Sequence, residues 1–155
     1  MAARRRIDPA DGAQALRQWA QEQDTSGGRP ADGTKGSVGA GSGAGGPDSA
    51  SPADRAARRR VTATAVRYTL EELAACAPGR SVEVRVPPFG VTQAVAGTVH
   101  RRGTPPSVVE TDAPTWLALA TGRLTWQDAL TSGALQASGE RCDLSVHLPL
   151  VRLPG

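Results

Sequence analysis

Catalysis and metal binding need particular side chains at set spacings, and few residues of this 155-residue chain offer them. His100, Arg101 and Arg102 form a basic cluster that could hold a carboxylate or a phosphate, because guanidinium presents a planar fork to such anions. The plain alternative is a solvent-facing loop. Glu110 and Asp112 are paired in sequence, but Asp112 reads better as a helix cap. His147 lies between Val146 and Leu148 and reads as a satisfied or exposed side chain rather than a base. Cys76 and Cys142 have neither CxxC nor Cys/His ligand spacing. Residues 41 to 46 match G-x-G-x-x-G literally, yet no strand precedes them and Pro47 blocks the helix that should follow. With no Ser/His/Asp set, metal-ligand spacing or phosphate-binding glycine loop left, we expect no catalysis, no metal and no cofactor.

The elements that would position any site fall into three parts: 1–23, 24–54 and 55–151. In the first, Asp8 caps an amphipathic helix to about Glu22, with Pro9 at the favoured first position. Ala13, Leu16 and Ala20 share one face with Trp19 beside them. A helix this short is marginal alone, so Leu16 and Trp19 should dock on the following domain with Ile7 as a staple. A free helix that captures a membrane or a protein partner is the alternative, but its polar face lacks the cations of interfacial helices.

The second part holds nine of the 18 glycines and three prolines, and Val38 is its one sizeable apolar residue. Such a composition does not offset its ordering entropy and reads as a disordered linker.

The third part is the domain. Val66, Leu70, Leu73 and Ala77 define a helix face ended by Pro78-Gly79. That helix starts near Ala56 or Val61, or at the Thr69–Glu72 capping box. Val61–Val66 also alternates like a strand. Val82, Val84 and Val86 alternate as a half-buried strand. A turn at 87–90 leads to a return strand over 91–98 with Val91 and Val95 inward. A loop over 101–106 precedes a strand over 107–111. Asp112 and Thr125 then cap two short helices that stop at Gly122 and near Gly133, and residues 134–138 form a strand. Cys142–Leu148 satisfies strand and helix spacing alike.

Charge and composition restrict the function class. The net charge is +3, with residues 1–60 carrying ten basic and seven acidic groups and residues 61–155 eight of each. The excess therefore lies outside the domain, in Arg4–Arg6 and Arg58–Arg60. Those runs could touch phosphates of lipid or nucleic acid, but the plain reading is solvated charge. No aromatic residue interleaves with them, so no specific nucleic-acid partner and at most transient membrane contact are expected. Absence of a signal peptide, a transmembrane run and paired cysteines reads as cytoplasmic and reduced. Seventeen of the 18 basic residues are Arg, which suits a high-GC bacterial genome.

The stretch from Val108 to Gly139, VVETDAPTWLALATGRLTWQDALTSGALQASG, resembles the signature region of the sterol-carrier protein type 2 family. Its landmarks are Leu119, Ala120 and Gly122, then Ala129 and Gly133, then Leu135 to Gly139. With "VRYTLEELA", "VEVRVPPFG" and "RGTPP-x-VVETD", the likeness spans about Val61 to Leu150 and is closest to a bacterial, actinobacterial subgroup. It implies an α+β sterol-carrier-like fold: a mostly antiparallel sheet of about five strands covered by helices, preceded by the helix and linker. It also implies a helix at 61–66 and a short one at 142–148. The family holds fatty acyl, acyl-CoA or sterol and isoprenoid-like molecules in an apolar tunnel. Phe89, Val95, Trp116, Leu119, Trp126, Leu130 and Leu148 would line it here, with His100, Arg101 and Arg102 at the rim. The chain departs from the pattern in a shorter domain and in Pro149, which cuts short the long apolar C-terminal helix. Both tryptophans also read simply as core fillers in a domain poor in aromatics. The resulting expectation is a non-enzymatic binding protein for an apolar small molecule or lipid. The alternative is an interaction or enzyme-accessory module with a closed cavity and a protein partner at the Trp19 helix.

Overall fold

A computed structural model describes residues 5–27, 50–97, 107–140 and 142–154. The first helix, α1, runs Pro9–Gly27, longer than its apolar pattern suggests. The Asp8 carboxylate accepts from the Ala10 N–H at 2.8 Å and so starts it. The second helix, α2, spans Pro52–Cys76 and begins well before the sequence expectation. The reason is local. Ser51 and Asp54 form a reciprocal capping box ahead of an arginine-rich stretch that has no apolar periodicity. The Thr69–Glu72 box is not used, because Thr69 lies inside α2 and its hydroxyl faces the Ala65 carbonyl at 2.9 Å. Helix ends at Gly27 and Pro52 both intrude on the segment read as a linker. The rest of that segment lies outside the described residues.

Strands β1 (Val82–Val86), β2 (Gly90–Ala94), β3 (Ser107–Thr111) and β4 (Leu135–Ser138) make one open sheet of order β2-β1-β3-β4. The β1–β2 and β3–β4 pairs are antiparallel and β1–β3 is parallel. The sheet is therefore mixed, with four strands among the described residues rather than about five. Val82, Val84, Val86, Ala94, Val109 and Leu135 are buried on its helix-covered face, whereas Arg85, Gln93, Glu110 and Gln136 are exposed on the other. Val91 belongs to the exposed set, against the expectation that it points inward. Pairing of Gly90 with Val86 sets the register so that Val91 lies opposite Arg85, and a one-residue offset reverses the face.

Helix α3 (Ala113–Thr121) starts at Asp112, whose carboxylate accepts from the Thr115 N–H at 2.8 Å. It ends at Gly122 with φ of 78°, where Arg123 N–H reaches the Ala118 carbonyl at 2.8 Å. Helix α4 (Trp126–Thr131) is capped by Thr125, and Gly133 follows at φ of 75°. Neither a strand nor an α-helix forms over 142–148. Only Ser145–His147 make a 3-10 turn. Leu144 is its sole buried anchor while Val146 is exposed, so one apolar contact does not sustain a longer helix. Beyond it, the Leu150 and Val151 amides both bond the Ala120 carbonyl and tie the C-terminal segment to the end of α3.

The helix α1 docks as expected. Leu16, Trp19 and Ala20 are buried, Ala13 and Ile7 are partly buried against the core, and α1 packs along α2. Gly12 makes the approach possible: a Cβ there would lie 2.3 Å from the Tyr68 ring. Both ends of α1 are held. The Glu71 carboxylate accepts from the Arg6 and Ile7 amides at 3.0 and 3.2 Å, Arg5 pairs with Glu72, and Asp24 pairs with Arg123.

Candidate functional site

The seven residues expected to line a tunnel all belong to, or pack on, one core. Trp116, Leu119 and Trp126 are buried, and Phe89, Val95, Leu130 and Leu148 are half-buried around them. Phe89 and Val95 mark opposite ends of the β1–β2 hairpin, a separation of roughly 13 Å at strand rise. Val95 acts through its backbone. It sits at φ of 65°, donates its N–H to the Ala77 carbonyl and accepts from the Ser81 amide and hydroxyl. Leu148 lies beyond α3 in the C-terminal segment. Expected rim residues His100, Arg101 and Arg102 are outside the described residues.

Between Trp116 and the sheet the interior is filled. Val82, Val84, Val86, Leu73, Leu117 and Trp116 each have 0% exposure, so no space the size of a water adjoins them. Trp116 is fixed there by its indole N–H, which donates to the Thr69 hydroxyl at 2.9 Å. No buried side-chain polar atom among the described residues lacks a partner.

Concavity appears instead at the surface between α1 and α3. A groove of about 370 Å³ is lined by Trp19, Gln23, Pro114, Thr115, Ala118, Arg123 and Leu124, and it is open to solvent. Its walls follow from local sequence. Trp19 comes from the buried stripe of α1, and Pro114 and Ala118 lie four apart on α3. The Gly122 cap turns the chain so that Arg123 and Leu124 stand at one end. The Arg123 fork holds the Asp24 carboxylate through both nitrogens, at 2.8 and 3.0 Å. This pairing lowers the Asp24 pKa below the usual carboxylate range and raises that of Arg123, hydrogen bonding being the main cause of each. Asp24 lies near the C-terminal end of α1, whose last turn carries no basic residue. A carboxylate there opposes the helix dipole, so the bond to Arg123 is what favours its position.

A second groove, between α1 and α2, has mixed walls, with Asp11, Gln14, Gln18, Arg60 and Thr64 beside Ala15 and Val61. The sequence had marked Trp19 as a docking residue or a site for a protein partner, and Arg123 carried no signal. Its place becomes evident only once the Gly122 cap and the end of α1 are seen together.

Cys76 is an exposed residue whose thiol pKa is pushed up by partial desolvation, away from the range of a reactive thiolate. His147 sits on the 3-10 turn next to exposed Val146. Among the described residues no group of three metal-ligating side chains occurs, and no helix is long and apolar enough to cross a membrane.

This mixed sheet, covered on one face by helices with the α3–α4–β4 sequence as its signature, agrees with the family match. The family described as "Bacterial SCP ortholog" matches residues 58–150, more than half of the chain. The chain therefore belongs to that sterol-carrier-like bacterial family. No curated relative matches the sequence. α1 lies before the matched residues.

Proposed function

We propose that this protein is a non-catalytic binding protein for molecules with an apolar chain, of the fatty acyl, acyl-CoA or isoprenoid-like kind. The observation that carries the reading is the α1–α3 groove, apolar along Trp19, Pro114, Ala118 and Leu124, with one guanidinium at its end. Family membership supports the ligand class. The groove is at the small end of ligand pockets, enough for part of a chain with the remainder in solvent. In this reading apolar walls give affinity, and Arg123 orients a carboxylate or phosphate head that replaces Asp24. Intact mass under native conditions, compared with the mass after denaturation, tests it. A stoichiometric difference equal to an acyl or isoprenoid molecule supports the reading, and bare protein that also takes up no added acyl lipid overturns it.

A second reading, an interaction module with a closed core, is favoured by the filled space around Trp116. In that case α1 and the surface grooves serve a protein partner, and no small molecule accompanies the native protein.

A further inference from the structure

Residues 52–60 of α2 are all exposed and rest on no core. Between Pro52 and Arg67 the helix carries Arg55, Arg58, Arg59, Arg60 and Arg67 against the single acid Asp54. Asp54 is engaged by the Ser51 hydroxyl at 2.7 Å. Among the described residues no carboxylate lies within 4.0 Å of any of these five guanidiniums. Arg55 and Arg59, four apart, lie about 40° apart around the helix and Arg67 about 120° from Arg55, so the three span a broad face, roughly a third of the circumference. That face meets the β1–β2 turn. The Arg59 guanidinium lies 6.0 Å from the Phe89 ring centre, and Arg67 Nε donates to the Phe89 carbonyl at 3.2 Å.

The turn itself is apolar and open. Pro87 and Pro88 are exposed, and Val91 is 61% exposed, one of two large apolar side chains so placed among the described residues. Beside it, Arg85 pairs with Glu83 at 2.5 Å, and Glu110 lies 4.0 Å from Arg85, so that part of the open sheet face sets one cation against two carboxylates. Uncompensated charge and exposed apolar surface thus meet at one end of the molecule. Like charges at i, i+4 oppose each other along a helix, and an anionic surface would relieve that opposition.

We infer that this end, the Arg55, Arg59 and Arg67 face with Pro87, Pro88 and Val91, docks on an anionic lipid bilayer. Guanidiniums are drawn to the negative surface within a Debye length, and the apolar tip enters the boundary between headgroups and chains. A nucleic acid offers the charge but no apolar layer for the tip. α1 points the other way electrostatically, with Asp11, Glu22 and Asp24 against Arg17, so the charge asymmetry also sets the orientation. This surface goes beyond the ligand reading and does not depend on it.

Co-sedimentation of the full chain with phosphatidylcholine vesicles, with and without phosphatidylserine, tests the assignment. The expected result is binding only to the anionic vesicles, weakened by salt. The Arg55→Ala/Arg59→Ala variant should bind on the order of 30-fold more weakly, from roughly 1 kcal/mol per guanidinium at the surface. Its thermal midpoint should not fall, since both residues are exposed. Val91→Asn should also weaken binding without touching the helix, and Arg17→Ala should bind like the unaltered protein. Equal binding to neutral vesicles, or none to either, would overturn the inference. So would equal losses in the Arg17 and Arg55/Arg59 variants, or binding to a single-stranded oligonucleotide at a salt concentration where vesicles are not bound.

Discussion

The Thr69 hydroxyl joins two elements that are far apart in sequence. It sits inside α2, faces the Ala65 carbonyl and accepts the Trp116 indole N–H. Replacing Thr69 by Val keeps the shape and leaves a buried N–H unpaired. The expected loss is about 1–3 kcal/mol in chemical denaturation. Truncating Trp116 to Ala should cost more, about 3–5 kcal/mol, through the cavity it leaves. Equal, small losses in both would mean that the indole is not the anchor of this core. Asp24 gives a pH signature. Its folded-state pKa is lowered, so the contribution of the Asp24–Arg123 pair is present above the ordinary aspartate range and is lost as pH falls below it. Protection of α1 amides, relative to their intrinsic exchange at each pH, should fall in that acid window, and Asp24→Asn should remove this pH dependence of protection while lowering protection at neutral pH. Trp116 was legible from sequence as a core filler. Its hydrogen-bond partner was not, because Thr69 looked like the start of a helix and nothing in the spacing joins residues 47 apart.

Among the elements, those with a cap and an apolar period were legible. Asp112 with Gly122 and Thr125 with Gly133 bounded α3 and α4, and the valine alternation gave β1. Elements governed by other forces were not. The start of α2 rests on Ser51 and Asp54 and not on burial. The inward face of β2 was set by the tight turn, which pairs Gly90 with Val86. Ser51→Ala should therefore fray α2 at a cost of about 1 kcal/mol or less, because the frayed residues are exposed. α1 depends on close approach. Gly12→Ala places a methyl group 2.3 Å from the Tyr68 ring, and backbone and ring must separate to admit it. We predict a red-shifted Trp19 emission and faster exchange along α1, with the sheet amides unchanged. An unshifted spectrum would show that α1 packs more loosely on α2 than the structure has it.

For the molecule as a whole, the filled interior and the open α1–α3 groove decide where an apolar ligand could sit. The family likeness implied a tunnel whose lining includes Trp116 and Trp126, whereas the α1–α3 groove joins Trp19, before the matched residues, to Pro114, Ala118 and Leu124 within them. Sequence patterns identify which faces are apolar. Whether two such faces close on each other or leave a gap depends on side-chain volumes that no periodicity records. Titration with a brominated fatty acid, whose bromine quenches nearby indoles, separates the two places directly. Groove binding predicts saturable quenching that disappears in Trp19→Phe, while emission from Trp116 and Trp126 stays unquenched. Quenching that persists in Trp19→Phe, or none in either protein, would contradict it.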